Sequence, residues 1–178
     1  TYSSFINNKP PLSIHSSFAT VDNCDFVGNS TVGGGSASAL FRNCTFLNSP
    51  TTALRWSFGN LYVLNSTIVG NGFENQGSPV GAGIELQGHA SAQVLNSIIW
   101  GNGPSNFQHS EELQLGVREE FDNFLEIDHS IVEGWTGRFG GDGNFDADPM
   151  LADPDGLDGI VGTADDKARL FPRSSAID

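Results

Sequence analysis

Apolar and polar residues alternate along this chain in short runs with a two-residue period and no sustained helical period, which predicts short β-strands. One phrase recurs. It reads VDNCDFVGN from Val21, FRNCTFLNS from Phe41, VLNSTIVGN from Val63, VLNSIIWGN from Val94 and, more loosely, IDHSIVEGW from Ile127. Its polar pair begins at Asn23, Asn43, Asn65, Asn96 and His129, in steps of 20, 22, 31 and 33, and SSFINN at Ser3 lies 21 before the first copy's CDFVGN. Uneven steps exclude a helical array, whose units must keep their helix lengths to stack. A β-solenoid tolerates them, because extra residues bulge out at corners while the strands stay in register.

A second short piece precedes each copy: PLSIH, TTALRW, GIELQG and, fainter, ELQLG. Each coil therefore reads as strand, corner, strand, Asn corner, strand. Alternation predicts an inward first strand of Leu12 and Ile14, Leu54 and Trp56, Ile84 and Leu86, and an inward second strand of Val21, Phe41, Val63, Val94 and Ile127. Phe26, Phe46, Ile68 and Ile99 continue the lining after the corner. The predicted fold class is all-β, a single-stranded parallel β-helix of five to six coils over residues 1–135, interrupted by an insertion over 103–123. Residues 136–178 are expected to form an acidic loop and a last coil or cap.

On this placement Asn23, Asn43, Asn65 and Asn96 form a structural ladder, each amide bonding to the next and to corner backbone. Asn43 and Asn65 are expected to point inward, leaving Asn29 as the accessible member of the three N-x-[ST] acceptor patterns. Cys24 and Cys44 fall at the same point of consecutive coils, about 5 Å apart along the stack. Two readings stand for them, a stacked pair of thiols and a disulfide.

Charge narrows the partners. Eight lysines and arginines stand against 21 aspartates and glutamates, a net charge of −13, which argues against a nucleic-acid partner held through phosphates. No stretch is long and apolar enough to span a membrane. Seventeen of the acidic residues follow position 110, and DPDGLDGIVGTADD gathers Asp153, Asp155, Asp158, Asp165 and Asp166 among glycines. Such hard oxygen ligands on a flexible loop suit calcium, Ca2+, with a solvated acidic loop as the other reading and Asp146 and Asp148 as additional members or a second site.

Outward rows carry the remaining candidates. Ser13, Arg55, Glu85 and Gln114 make the first-strand row, with His15 nearby. Arg55 and Glu85 are expected to form a surface ion pair; with His15 they are also the only group resembling the base of a polysaccharide lyase. The second-strand rows place Leu40, Tyr62, Leu64 and Leu95 together as an exposed apolar contact patch, covered either by the insertion or by another chain.

GAGIELQG leading into AQVLNSIIWGN resembles the right-handed parallel β-helix repeats of bacterial secreted and cell-surface proteins, the pectate-lyase-like superfold. FDADPMLADP followed by ARLFPRSSAID resembles the closing phrase of such domains, with Arg173 and Ser174 where Pro and Gly are usual. The resemblance implies an extracellular location and a possible polysaccharide or surface-protein partner, within a longer chain or assembly. Two function classes follow: a non-catalytic, calcium-stabilised module for adhesion, surface assembly or glycan binding, and a carbohydrate-active enzyme or a fragment of one. The acidic balance favours the first, since it repels polyanionic substrates.

Overall fold

The structure is a computed structural model that describes residues 2–74, 81–108, 110–118, 121–152 and 154–177. The first coil contains β1 (Ser3–Ile6), β2 (Ser13–His15) and β3 (Phe18–Asp22), and the second β4 (Cys24–Val27), β5 (Val32–Gly35) and β6 (Ser38–Arg42). In the third, β7 (Thr45–Leu47) is followed by one long strand, β8 (Leu54–Leu64); in the fourth, β9 (Thr67–Val69) is followed by β10 (Ile84–Leu95). The fifth has β11 (Ile98–Trp100), a short helix α1 (Glu111–Gln114), β12 (Leu115–Val117) and β13 (Phe124–Asp128). β14 (Ile131–Val132) opens a sixth, and β15 (Leu151–Ala152) pairs antiparallel with β16 (Arg169–Leu170).

All pairing between coils is parallel, in the order β1, β4, β7, β9, β11, β14 for one sheet. Its register follows the repeat: Ser3 pairs with Cys24, Asp25 with Thr45, Thr45 with Thr67, Thr67 with Ile98 and Ile98 with Ile131. The long steps arise mainly where β9 leads to β10 and β11 to β12, since Leu54 pairs with Ile84 and Ile84 with Leu115, and the last step gains further residues between β12 and β13, since Leu86 pairs with Val117 but Ser91 with Phe124. This is a single-stranded parallel β-helix.

The core is built by rows rather than by one cluster of remote contacts. Phe5, Phe26 and Phe46 stack with nearly parallel rings at centroid spacings of 4.7 and 4.8 Å, which is the distance between hydrogen-bonded strands. Ile68, Ile99 and Val132 continue that row. Val21, Phe41, Val63, Val94 and Ile127 form the second inward row. Trp56 is fully buried, and its indole N–H donates to Ala37 O at 3.0 Å. Its ring lies over Gly34, where a Cβ would overlap it. That contact explains why β5, VGGG, lacks an apolar signature: glycine there makes room for the neighbouring coil's tryptophan.

The polar positions of the repeated phrase have separate tasks, and the asparagine assignment changes. Asn23, Asn43, Asn65 and Asn96, together with His129, adopt φ values between 49° and 55°, a left-handed turn that Asn and His tolerate better than most side chains. They are exposed, not inward. Their amides meet in two steps, Asn43 Nδ2 to Asn23 Oδ1 and Asn96 Nδ2 to Asn65 Oδ1, both 3.3 Å. The next position is a buried hydroxyl row. Ser66, Ser97 and Ser130 Oγ accept from the backbone N–H of Cys44, Ser66 and Ser97 on the coil before.

The buried amide ladder lies at the other end of the phrase. Asn71 and Asn102 are wholly buried: Asn71 Nδ2 donates to Phe46 O, Val69 O and Asn102 Oδ1, and Asn102 Nδ2 to Ile68 O and Gln114 Oε1. Asn29, expected to be accessible, is 2 % exposed and donates to Phe5 O. Both asparagine expectations thus invert, because a left-handed corner turns its own side chain outward while the residue after the following strand turns in.

Residues 103–123 are not an outer flap. Leu115 pairs with Ile84 and Val117 with Leu86, so the segment supplies the first strand of its own coil. Trp135 and Phe139 pack against the last coil's core, and Phe145 bridges Ile131. From about residue 146 the chain turns back as a strap along the outside of the β4–β7–β9–β11 sheet. Leu151, Ala168, Leu170 and Ala176 cover Val27, Leu47, Val69, Ile98 and Ile131, with Trp100 at the side. The strap is therefore a second layer over the sheet, where a further coil or cap was expected.

Candidate functional site

Register assigns the first-strand outer row to Ser13, Gly33, Arg55, Glu85 and Gly116. Gln114, expected here, lies instead in α1, fully buried, with its amide in the Asn102 ladder. Arg118 takes the position on the far side of Glu85. Glu85 Oε2 accepts from Arg55 Nε at 2.6 Å, and Oε1 accepts from Arg118 Nη2 at 2.9 Å and Gln87 Nε2 at 2.7 Å. The Glu85 side chain is 4 % exposed and both arginines more than 40 %. Burial opposes its charge, but the donors from Arg118, Arg55 and Gln87 outweigh that and hold its carboxyl below the ordinary range.

His15 does not join this group. It pairs along its strand with Gly35, in the row that continues to Ser57 and Gln87. The glycines of β5 separate it from Arg55. Of the three candidates Arg55, Glu85 and His15, the fold brings together the first two, and it adds Arg118, which the insertion reading concealed.

The second-strand outer rows follow the expected order: Thr20, Leu40, Tyr62, Gln93, Glu126 and Asp22, Arg42, Leu64, Leu95, Asp128. Leu40, Tyr62 and Leu64 are half-buried, and Leu95 is 38 % exposed. Polar pairs border them, Arg42 with Asp22 at 2.9 Å and Gln93 with Glu126 at 2.8 Å. Hydrogen bonds of the 103–118 segment join it to Asn71, Gly81, Ala82, Glu85, Leu86, Asn102, Glu133, Thr136 and Arg138, and its strand β12 stacks on Ile84 to Leu86 of β10, on the first-strand face and not on the rows that hold this patch.

In the acidic loop, Asp158, Asp165 and Asp166 bring carboxylate oxygens within 4.8 Å of one another. Asp165 Oδ2 accepts the backbone N–H of Leu157 and Asp158, and Asp166 Oδ2 those of Gly162 and the Asn48 side chain at 2.7 Å. Their remaining oxygens converge on one hydroxyl, Thr163 Oγ1, at 2.7 Å from Asp165 Oδ1 and 3.2 Å from Asp158 Oδ2 and Asp166 Oδ1. One hydroxyl proton satisfies only one of the three. The Thr163 bond and the backbone donors lower the Asp165 carboxyl below its usual value. Asp155 lies on the same loop outside the gathered group, as do Asp146 and Asp148, and Asp153 lies outside the described residues.

Cys24 and Cys44 are free and buried. They hold the serine row's positions, their thiols donating to Asp22 O at 3.3 Å and Arg42 O at 3.4 Å as the serine hydroxyls do. Burial pushes the Cys44 thiol up to about 11, which leaves it protonated and unreactive at neutral pH.

Coils, ladders and strap together define a solenoid whose repeated corners are structural. A family model described as a right-handed β-helix region matches residues 1–119, and the chain belongs to that family. No curated protein and no solved structure matches it. Among the described residues no helix is long and apolar enough to cross a membrane.

Proposed function

We propose that this chain is a non-catalytic β-helix module of a secreted or cell-surface protein, which presents its outer faces for adhesion, assembly or glycan binding. The observation that carries this reading is the condition of Glu85. A general base must reach and take up a substrate proton, and Glu85 is buried and held in its charged form by Arg118, Arg55 and Gln87. Leu40, Tyr62, Leu64 and Leu95 offer a contact surface of the kind that marks a partner.

Calcium is the second part of the proposal. Three carboxylates sharing one hydroxyl repel one another, and oxygens so placed suit a hard cation. Asp158, Asp165 and Asp166 would hold it and so tie the strap to Asn48 of the coil body.

Two measurements test these statements. Incubation with uronate polysaccharides should yield no unsaturated product in the ultraviolet; product that disappears in Arg55→Ala would establish the carbohydrate-active alternative. A melting curve in calcium should lie about 3 °C above one in chelator. Coincident curves would remove calcium.

A further inference from the structure

The corner between the first and second strands carries side chains that neither the core nor the ion pair explains. Phe58 is 49 % exposed and Phe121 41 %. His89 lies between them, with centroids 6.1 Å from Phe58 and 6.4 Å from Phe121. The three belong to consecutive coils and form one aromatic stripe along the solenoid axis. Phe58 holds φ at 62°, a conformation that costs a bulky L-residue about 1–2 kcal/mol. Its ring lies against Gly88, where an added Cβ would meet it at 3.0 Å. The left-handed residue belongs to the repeated corner, since Ser16, Ser36 and His89 also hold positive φ there; what sets this coil apart is a large apolar ring on a solvated corner where the first two coils carry serine.

On the same three coils, a few residues before each member of the stripe, runs the polar band of Arg55, Glu85 with Gln87, and Arg118. Its groups are fixed by one another, so they keep their orientation without a ligand. The geometry points to this two-sided strip as a binding site for a neutral polysaccharide, an inference that rests on the binding-module reading above. Pyranose rings carry slightly positive C–H faces that dock on the negative faces of aromatic rings. Their hydroxyls can accept from the guanidinium groups of Arg55 and Arg118, which reach solvent while the buried Glu85 holds them in place. The chain's net charge of −13 repels a polyanion and leaves an uncharged glycan unaffected. Two coil spacings, about 10 Å, give the strip room for an extended segment of a few sugars.

Affinity electrophoresis in native gels tests this, with hydroxyethylcellulose, galactomannan or mixed-linkage β-glucan as neutral probes and polygalacturonate as the charged comparison. At least one neutral polymer should retard the protein. Phe58→Gly removes the ring and relieves the backbone, so its melting temperature should not fall, while retardation weakens about tenfold. Phe121→Ala, at an exposed site, should weaken it similarly, and Phe73→Ala, an exposed ring after β9 and outside the stripe, should leave it intact. The inference is overturned by no retardation in any neutral gel, by retardation in polygalacturonate alone, or by retardation that survives both phenylalanine changes. A concentration-dependent dimer abolished by Phe58→Gly would equally overturn it, since the stripe would then serve a second copy. Failure of the non-catalytic reading has a separate signature, the release of new sugar ends from the same polymers with time.

Discussion

The coils and the strap meet the same problem, a carboxylate taken out of water, with different means. In the coils Glu85 is surrounded by two arginines and a glutamine, so its charge is balanced within the protein. In the strap Asp166 is 1 % exposed, bonded to neutral donors, and set beside Asp158 and Asp165 with no arginine or lysine bonded to any of them among the described residues. The first arrangement is complete without a ligand. The second depends on neutral hydrogen bonds alone, which is why the strap, not the coil stack, is where a cation would act. The backbone tells the same story. Buried hydroxyl and amide rows run from coil to coil, whereas the strap meets its sheet through a handful of apolar side chains, the bonds of Asn48 to Pro154 and Asp166, and the Lys167–Asp25 pair.

Substitutions can separate the two regions. The largest effect is expected from Asn71→Ala. It strips donors from the buried Phe46 and Val69 carbonyls and the acceptor from Ser49 N–H, which should cost about 3 kcal/mol and shift the whole urea transition. Unfolding confined to one coil would contradict a cooperative stack.

Glu85→Gln comes next, at about 2 kcal/mol, reduced from a fully buried pair because both arginines reach solvent. Its pH dependence fixes the cause. The folded carboxyl titrates below its unfolded value, so its contribution is complete above the ordinary carboxylate range and disappears as pH falls through the lowered folded value. The stability gap between wild type and Glu85→Gln should therefore narrow on acidification. A gap independent of pH would mean packing, not charge, is lost.

Asp166→Ala should cost about 1–2 kcal/mol of local stability. Hydrogen exchange should rise over residues 146–177 and stay unchanged in β4, β7 and β9. Faster exchange throughout would show that strap and coils unfold as one unit.

The smallest change is expected from Asn43→Gly, within about 0.5 kcal/mol. Its amide bond to Asn23 is exposed and glycine accepts the left-handed turn. Placed beside Asn71→Ala, it measures how much an asparagine's worth depends on which end of the repeat it occupies.

Much of the architecture was legible because solenoid register is one-dimensional. Once the phrase was aligned, the steps gave the cross-coil partners, and the two-residue period gave the inward rows and both second-strand outer rows. What misled was everything set by the corner. The period of two breaks at a left-handed residue, so Asn23 and Asn43 cannot be oriented by counting, and Asn29, expected to be accessible, is buried. β5 escaped notice because its central residue is small only to accommodate Trp56 of the next coil. Arg118 and Gln114 were displaced because α1 adds a turn that shifts the alternation before β12.

The amino-acid sequence alone determined the class and the repeat, since local alternation and a recurring corner are properties of neighbouring residues. It also determined the acidic balance and the concentration of carboxylates near the C-terminal end. Only the tertiary structure decided which asparagines are buried, that two arginines rather than one close on Glu85, and that the last residues fold back over a sheet. It alone assembled Phe58, His89 and Phe121, which are about 30 residues apart in sequence. These are relations between coils, and their distances depend on stacking and on the length of every corner between them.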